Sequence, residues 1–304
     1  MKVAIVQWEP VHLDLPASVD KALEGISVAA GEGAELIVFG ESWFSGYPAW
    51  LDHCPEIGFW NHPPMKKIFG RMIAHSLQRE GEEMKRLCQQ AKELNVALVF
   101  GANEYDPGHA KGTLFNSLFT INHKGQVINH HRKLVPTYTE KLLHAPGDGH
   151  GLVSVPINGA RVTGLICWEH WMPLSRQTLH DSGEDIHIAA WPNVHEMHQV
   201  ASRQYAFEGR CFVLAAGLMY HSSRFPNELE KPAAFKEKDQ WVLNGGSCII
   251  GPDGKYIVEP QFDVETILYA DLNLQQVREE SLTLDVSGHY QRKDVFRLSV
   301  NRDR

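Results

Sequence analysis

The stretch "GLICWEHWMP", residues 164–173, runs as a short apolar β-type segment up to Cys167 and then turns into an aromatic residue, a glutamate and a histidine. A cysteine that only packs in a core needs no such company. A reactive thiol does, because the thiolate is the nucleophile and requires a base or a cation beside it. Upstream, the segment continues a hairpin, "VSVPINGARVTGLIC", whose Asn158-Gly159 pair is the strongest short hairpin signal. Downstream, "PLSRQTLHDSG" (173–183) reads as a helix with Pro173 in its first turn and Gly183 as its stop, and "DIHIAAW" follows as another strand. Strand, helix and strand around one cysteine predict an α/β fold.

The pattern extends in both directions. "KVAIVQW", "ELIVFG", "VALVFGA" and "CFVLAAG" are strand-length runs that are continuously apolar rather than alternating, as expected for strands covered on both faces. Between them, "SVDKALEGISVAAGEG" (18–33) predicts a helix capped by Ser18. "EEMKRLCQQAKELN" (82–95) places Met84, Leu87, Cys88, Ala91 and Leu94 on one face, and "EMHQVASRQYAFEGR" (196–210) predicts a further helix. Further hairpins turn at Lys124-Gly125 and Asp253-Gly254. Mixed βαβ units and hairpins fit two packed sheets between helical layers better than a purely parallel sheet. No linker or internal repeat divides residues 1–280, and residues 281–304 read as a C-terminal arm at a subunit interface.

Bulk properties narrow the function. The chain has 304 residues, 43% of them hydrophobic, and a formal charge of −8, which argues against a nucleic-acid or anionic-membrane surface. No run approaches the roughly 18 apolar residues of a membrane span. The N-terminal "MKVAIVQWEP" turns polar too soon for a signal peptide. Five scattered cysteines without paired spacing predict neither a disulfide framework nor a zinc site, and point to the cytoplasm. The 17 histidines include close pairs in "HHRK" and "HEMH" (His195, His198), yet no metal-binding spacing appears and no metal or cofactor is expected.

Three segments deliver a chemically able residue at a strand end: "ELIVFGESWFSGYP" delivers Glu41, "INHHRKLVPTYTE" delivers Lys133, and "VTGLICWEHWMP" delivers Cys167. Sites in open α/β architectures gather beyond strand ends. A lysine ammonium would favour the thiolate and stabilise a developing anion, and a partly buried glutamate can take the thiol proton and later activate water. Each residue alone has a plainer reading. A cysteine ending an apolar strand commonly packs in the core, a glutamate after a strand caps or faces solvent, and "HHRK" is commonly a solvated basic patch.

Read together with their flanks, these segments resemble the nitrilase superfamily of carbon–nitrogen hydrolases. The three stand in that family's order, and "VAIVQWEP", "LFNSLFTINHKGQVI", "RQYAFEGRCFVLAAG", "GGSCIIGPDGK" and "GHYQRKDVFRL" extend the resemblance over almost the whole chain. It implies a four-layer αββα sandwich, paired across subunits. It also implies Cys167 as nucleophile, Glu41 as general base, Lys133 as stabiliser of the tetrahedral intermediate, and Glu140 as a second glutamate positioning the lysine and the substrate. The backbone N–H of Trp168 is expected to donate to the oxyanion, since the residue after a nucleophile at a sharp strand exit points there. His170 is read as structural support for the loop. Lys133→Ala is expected to cost rate far more than stability.

Within the superfamily, "WEH" after the cysteine, "AAWPNVHEMHQV" and the "GHY" segment resemble the nitrilases proper, which implies a small-molecule nitrile as substrate and a homodimer or larger homo-oligomer. Trp191, Pro192 and His195 are expected to line the pocket. Trp43, Phe44, Tyr47, Trp50, Trp168 and Trp191 would suit an aromatic or arylaliphatic nitrile, unless they pack the core. Gly40, Ser45 and "LLHAPGDG" depart from common family patterns and bear on substrate range. The alternatives are an amidase or carbamoylase, a cyanide hydratase or dihydratase, an acyltransferase, and a non-catalytic assembly module.

Overall fold

In the computed structural model, which describes residues 1–109 and 111–304, two mixed sheets pack face to face between helical layers. The first sheet contains β1 (Lys2–Gln7), β2 (Leu36–Val38), β3 (Ala97–Asp106), β4 (Thr113–Ile121), β5 (Val127–Arg132) and β13 (Thr266–Asp271), in the order β13-β1-β2-β3-β4-β5. The second contains β6 (Val155–Ile157), β7 (Ala160–Ile166), β8 (Ile186–Ala190), β9 (Phe212–Ala216), β10 (Met219–His221) and β11 (Trp241–Ile250), in the order β10-β11-β9-β8-β7-β6, with β12 (Tyr256–Phe262) also paired to β11. The parallel cores are β1-β2-β3 and β7-β8-β9, and the flanking pairs are antiparallel.

Alternation explains why the strands read as continuously apolar. Val3, Ile5, Leu36, Val38, Ala97 and Val99 point into the core shared with the second sheet. Their neighbours Ala4, Val6, Ile37, Leu98 and Phe100 point the other way, beneath α1 (Leu15–Gly31) and α3 (Glu82–Leu94). Both faces are covered, so both parities must be apolar. On the far side of the second sheet lie α4 (Pro173–His180) and α5 (Glu196–Gly209), which bury Leu179, Ala201, Tyr205 and Ala206. Gly164 on β7 leaves room for Leu118 of the first sheet: a Cβ there would meet Leu118 Cδ2 at 2.4 Å.

Local signals placed most elements. The hairpin joining β6 to β7 turns through Asn158 and Gly159, both at positive φ. The α3 helix ends at Asn95 in the left-handed conformation. The α1 helix differs from expectation. It starts at Leu15, capped by Asp14, whose side chain accepts from the Ala17 N–H, while Ser18 is buried and donates to Val11 O. Pro16 in the first turn fixes this earlier start. Among the elements without a clear sequence signal are α2 (Pro63–Ala74), and β13, whose alignment against β1 closes one sheet edge. After α6 (Gln275–Glu280), the arm runs back across the domain, where Arg302 reaches Leu152 O and Arg304 pairs with Asp148. Among the described residues no helix is long and apolar enough to cross a membrane, and the five cysteines are free.

Candidate active site

Glu41, Lys133 and Cys167 lie just past the ends of β2, β5 and β7, at one end of the sandwich. The chain after β2 is held against β3 by Gly101, which donates to Gly40 O and accepts from Phe44 N–H. A Cβ on Gly101 would stand 2.4 Å from Ser42 N and 2.7 Å from Glu41 Cα, so glycine alone lets the Glu41 backbone lie on the strand. Lys133 continues β5, its N–H donating to Asn116 O on β4. Cys167 opens a 3₁₀ turn (Cys167–Trp171) with φ of +52°, a left-handed conformation that a cysteine rarely adopts. A nucleophile held at a sharp, strained strand exit has this geometry.

The side chains converge on Lys133. Its Nζ lies 2.9 Å from Glu41 Oε1 and 2.9 Å from both oxygens of Glu140. Asn116 Nδ2 also donates to Glu41 Oε1, at 2.7 Å, whereas Glu41 Oε2 makes no hydrogen bond within the described residues. Tyr47 donates its hydroxyl to Glu140 Oε1 at 3.1 Å. Glu41, Lys133, Glu140 and Cys167 are all at most 3% exposed.

Burial and mutual charge set the protonation of this cluster. Burial pushes the Glu41 carboxyl up to about 7, with Lys133 pulling against it. Burial and then the Glu41 charge push the Cys167 thiol well above its ordinary value, opposed by Lys133 and by the Trp168 backbone N–H, which faces the sulfur. Burial alone would lower the Lys133 ammonium, but Cys167, Glu41 and Glu140 outweigh it and hold the amine charged. Burial likewise works against an ionised Glu140, and Lys133 and then His144 overcome it. The resting cluster is a neutral thiol beside a carboxyl poised near neutrality, a fixed cation and a fixed anion. That arrangement can pass one proton from sulfur to carboxylate when an electrophile arrives.

Glu169, within "CWEH", escaped assignment from sequence. Its buried carboxylate accepts from Ile166 N–H and Leu134 N–H, each at 2.8 Å, and from His131 Nε2 at 2.9 Å. It therefore ties the strand end bearing Cys167 to the loop bearing Lys133. Asn116 and Asn103 were also unassigned. Asn103 donates to Gly46 O and accepts from His144 Nε2, linking the Glu41 loop to the turn that carries Glu140. A buried asparagine facing a backbone carbonyl carries no sequence signature; only its neighbours reveal its task.

The remaining expected residues scatter. Trp168 projects into solvent at 56% exposure, so its backbone rather than its ring faces Cys167. Trp191 is fully buried, stacked between His170 and His198 and bonded to Ser202. Pro192 follows it half-buried, and its carbonyl accepts from Leu218 N–H. His195 is exposed at the start of α5 and pairs with Asn193. Trp43 and Phe44 pack with Phe39 and Phe100 in the core, and Trp50 is buried in the same cluster. Of the six aromatic residues, Tyr47 is the one bonded to the acidic cluster. "HHRK" is not a solvated patch: His131 and Lys133 face the site, while His130 and Arg132, of opposite strand parity, clamp the buried Glu104.

The carbon–nitrogen hydrolase family model matches residues 2–280. Nitrilase 2 from an unknown prokaryotic organism is 37% identical over 302 residues, covering 99% of this chain and 92% of its own. An aliphatic nitrilase of Rhodococcus rhodochrous (99% and 79% covered) and an arylacetonitrilase of Aspergillus niger (99% and 89%) are each 34% identical. Among solved structures, a carbon–nitrogen hydrolase of Helicobacter pylori superposes with a TM-score of 0.72 at 16% identity, covering 93% of this chain and 92% of that one. An amidase of Nesterenkonia sp. superposes at 0.66 and 18%, covering 92% of each chain. With the family model spanning residues 2–280 and curated relatives 34–37% identical over 99% of the chain, the chain belongs to the carbon–nitrogen hydrolase family, within the nitrilase superfamily.

Proposed function

We propose that this protein is a nitrilase that converts an organic nitrile and two waters into the carboxylic acid and ammonia through covalent intermediates on Cys167. The observation that carries this reading is the buried Lys133 ammonium shared by Glu41 and Glu140, with the strained Cys167 at the same strand ends. Glu41 Oε2, which has no hydrogen bond among the described residues, takes the thiol proton as sulfur attacks the nitrile carbon. The nitrile nitrogen gains that proton and the product is a thioimidate. Water activated by Glu41 adds to it, ammonia leaves with a proton returned from the same carboxyl, and a thioester remains. A second water cleaves the thioester, releasing the acid and restoring the thiol. Lys133 and the Trp168 N–H stabilise the charge that develops at each addition.

Relatives bearing nitrilase names at 34–37% identity over 99% of the chain support the nitrile rather than the amide branch. For substrate class we retain an aromatic or arylaliphatic nitrile, supported by the Tyr47 ring beside Glu140. The test is ammonia release from phenylacetonitrile and, in parallel, from phenylacetamide, with Cys167→Ala as blank. Ammonia from the nitrile supports the assignment, and ammonia from the amide alone moves the chain to the amidase branch. The arm's exposed Leu282, Tyr290, Val295 and Phe296 support its reading as an interface in a homo-oligomer, which light scattering tests: a monomer mass refutes it.

A further inference from the structure

Behind the cysteine, on the face of the second sheet turned toward α4 and α5, lies a buried polar line that the proposed chemistry does not use. His170 Nδ1 is 2.7 Å from Cys167 O, and a carbonyl only accepts, so His170 carries its proton on Nδ1. Burial, reinforced by His187, keeps the His170 ring neutral, which leaves Nε2 bare. His187 Nε2, 3.0 Å away, is therefore the donor to it. Burial also keeps the His187 ring neutral, so its Nδ1 is bare and accepts from the Thr163 hydroxyl at 2.8 Å, beside the Glu184 carboxylate. Glu184 in turn accepts from Tyr205 Oη at 2.9 Å and His180 Nδ1 at 2.7 Å. The rings are fixed by stacking: His170 on Trp191 with centroids 4.6 Å apart, and His187 on Tyr205 at 3.7 Å.

The carbonyl at the head of this line belongs to the same planar peptide as the Trp168 N–H, and the two groups point in opposite directions. Fixing one end aims the other. The need is real, because Cys167 holds a φ of +52° that it would readily leave. A donor on the carbonyl also polarises the amide and strengthens its N–H as a donor. We propose that His170, held by His187 and by its stack on Trp191, is the positioning residue that aims and polarises the Cys167–Trp168 peptide toward the charge formed on the substrate. It deepens the function proposed above and rests on Cys167 being the attacking group.

The test compares His170→Phe, which keeps a ring against Trp191 but removes the donor, with His170→Asn, whose Nδ2 stands where Nδ1 was. Three readouts separate aim from structure: steady-state turnover, reversible inhibition by phenylacetaldehyde, and alkylation by iodoacetamide. In the aldehyde adduct a sulfur–carbon bond forms, the carbonyl π bond breaks, and the oxygen takes the place of the developing anion. Alkylation develops no such anion. His170→Phe is expected to lower kcat and weaken aldehyde binding by about 100-fold each, the range for losing one oxyanion donor. KM stays within threefold, and His170→Asn recovers at least tenfold. Alkylation falls at least tenfold less than turnover, because the Trp168 N–H is the smallest of the influences on the thiol. Should His170→Phe fail to fold, His187→Phe, which retains the stack on Tyr205, is expected to lower kcat and aldehyde affinity together by about tenfold, as a lost polarising partner would. Turnover unchanged, alkylation falling in step with turnover, or Asn no better than Phe would each overturn the proposal. The aldehyde and alkylation arms need no nitrile turnover, so a wild-type chain active only on the amide would refute the nitrilase reading and still leave this inference decided by its own data.

Discussion

Lys133 Nζ sits 2.9 Å from Glu41 Oε1 although the two residues are 92 positions apart, and the same ammonium is 2.9 Å from both Glu140 oxygens. One buried cation is thus shared by two buried carboxylates, and removing it leaves like charges facing each other away from bulk solvent.

Lys133→Ala is therefore expected to lower kcat at least 100-fold, about 3 kcal/mol of lost anion stabilisation. The sequence suggested that stability would be spared, and the geometry says otherwise. Stranding buried charge costs about 3–5 kcal/mol. Urea unfolding at pH 8 should show the loss, and at pH 5, where one carboxyl can take up a proton, it should shrink. A variant as stable as wild type at pH 8 would mean the carboxylates find another partner.

In the proposed mechanism Glu41, pushed up to about 7, serves as the base only when ionised. The expected profile of kcat/KM rises with pH through about 7 and flattens above it, the value belonging to the cluster rather than to one carboxyl. Glu41→Gln should abolish that limb along with about 100-fold or more of the rate. A limb centred below pH 6 would remove Glu41 from the base role.

Glu169→Gln replaces an acceptor-only carboxylate facing three donors with a group that must turn its own N–H₂ toward one of them. About 1–3 kcal/mol of stability should go, and turnover should drop because the Cys167 and Lys133 segments lose their shared anchor. Thermal melts and kcat, measured together, check this. An unchanged kcat in a destabilised variant would show that the anchor is dispensable for alignment.

Gly101→Ala puts a methyl 2.4 Å from Ser42 N and 2.7 Å from Glu41 Cα. Backbone must move, at a cost of about 1–3 kcal/mol, and Glu41 moves with it. Turnover should fall more than tenfold while iodoacetamide still alkylates Cys167, since the sulfur sits on the other sheet. Equal loss of both would point to general unfolding instead.

Acid should also draw on the stability that a buried neutral histidine contributes. Burial pushes His144 down to about 4, with Lys133 adding to this and Glu140 opposing it. The unfolded chain takes up this proton near pH 6.5 while the folded chain does not. The stability is full above 6.5 and declines by about 1.4 kcal/mol per pH unit as pH falls toward 4. His144→Gln, followed by urea midpoints between pH 7 and 5, should flatten that slope. A slope equal to wild type would exclude His144 as its source.

Legible in the chain before folding were the strand and helix alternation, the hairpins at Asn158-Gly159 and Lys124-Gly125, the sandwich class and the three segments that carry Glu41, Lys133 and Cys167. These rest on local physics: turn residues with positive φ, apolar runs covered on both faces, and motifs read within a dozen residues. Tertiary structure decided the rest. The partners of Lys133, the anchoring by Glu169 and the line from His170 to Glu184 each join residues brought together by folding, and periodicity carries no record of such meetings. Aromatic residues misled for the same reason. Trp43, Phe44 and Trp191 look alike in sequence whether they line a pocket or fill a core, and only the packing of the two sheets and their covering helices distinguishes the cases.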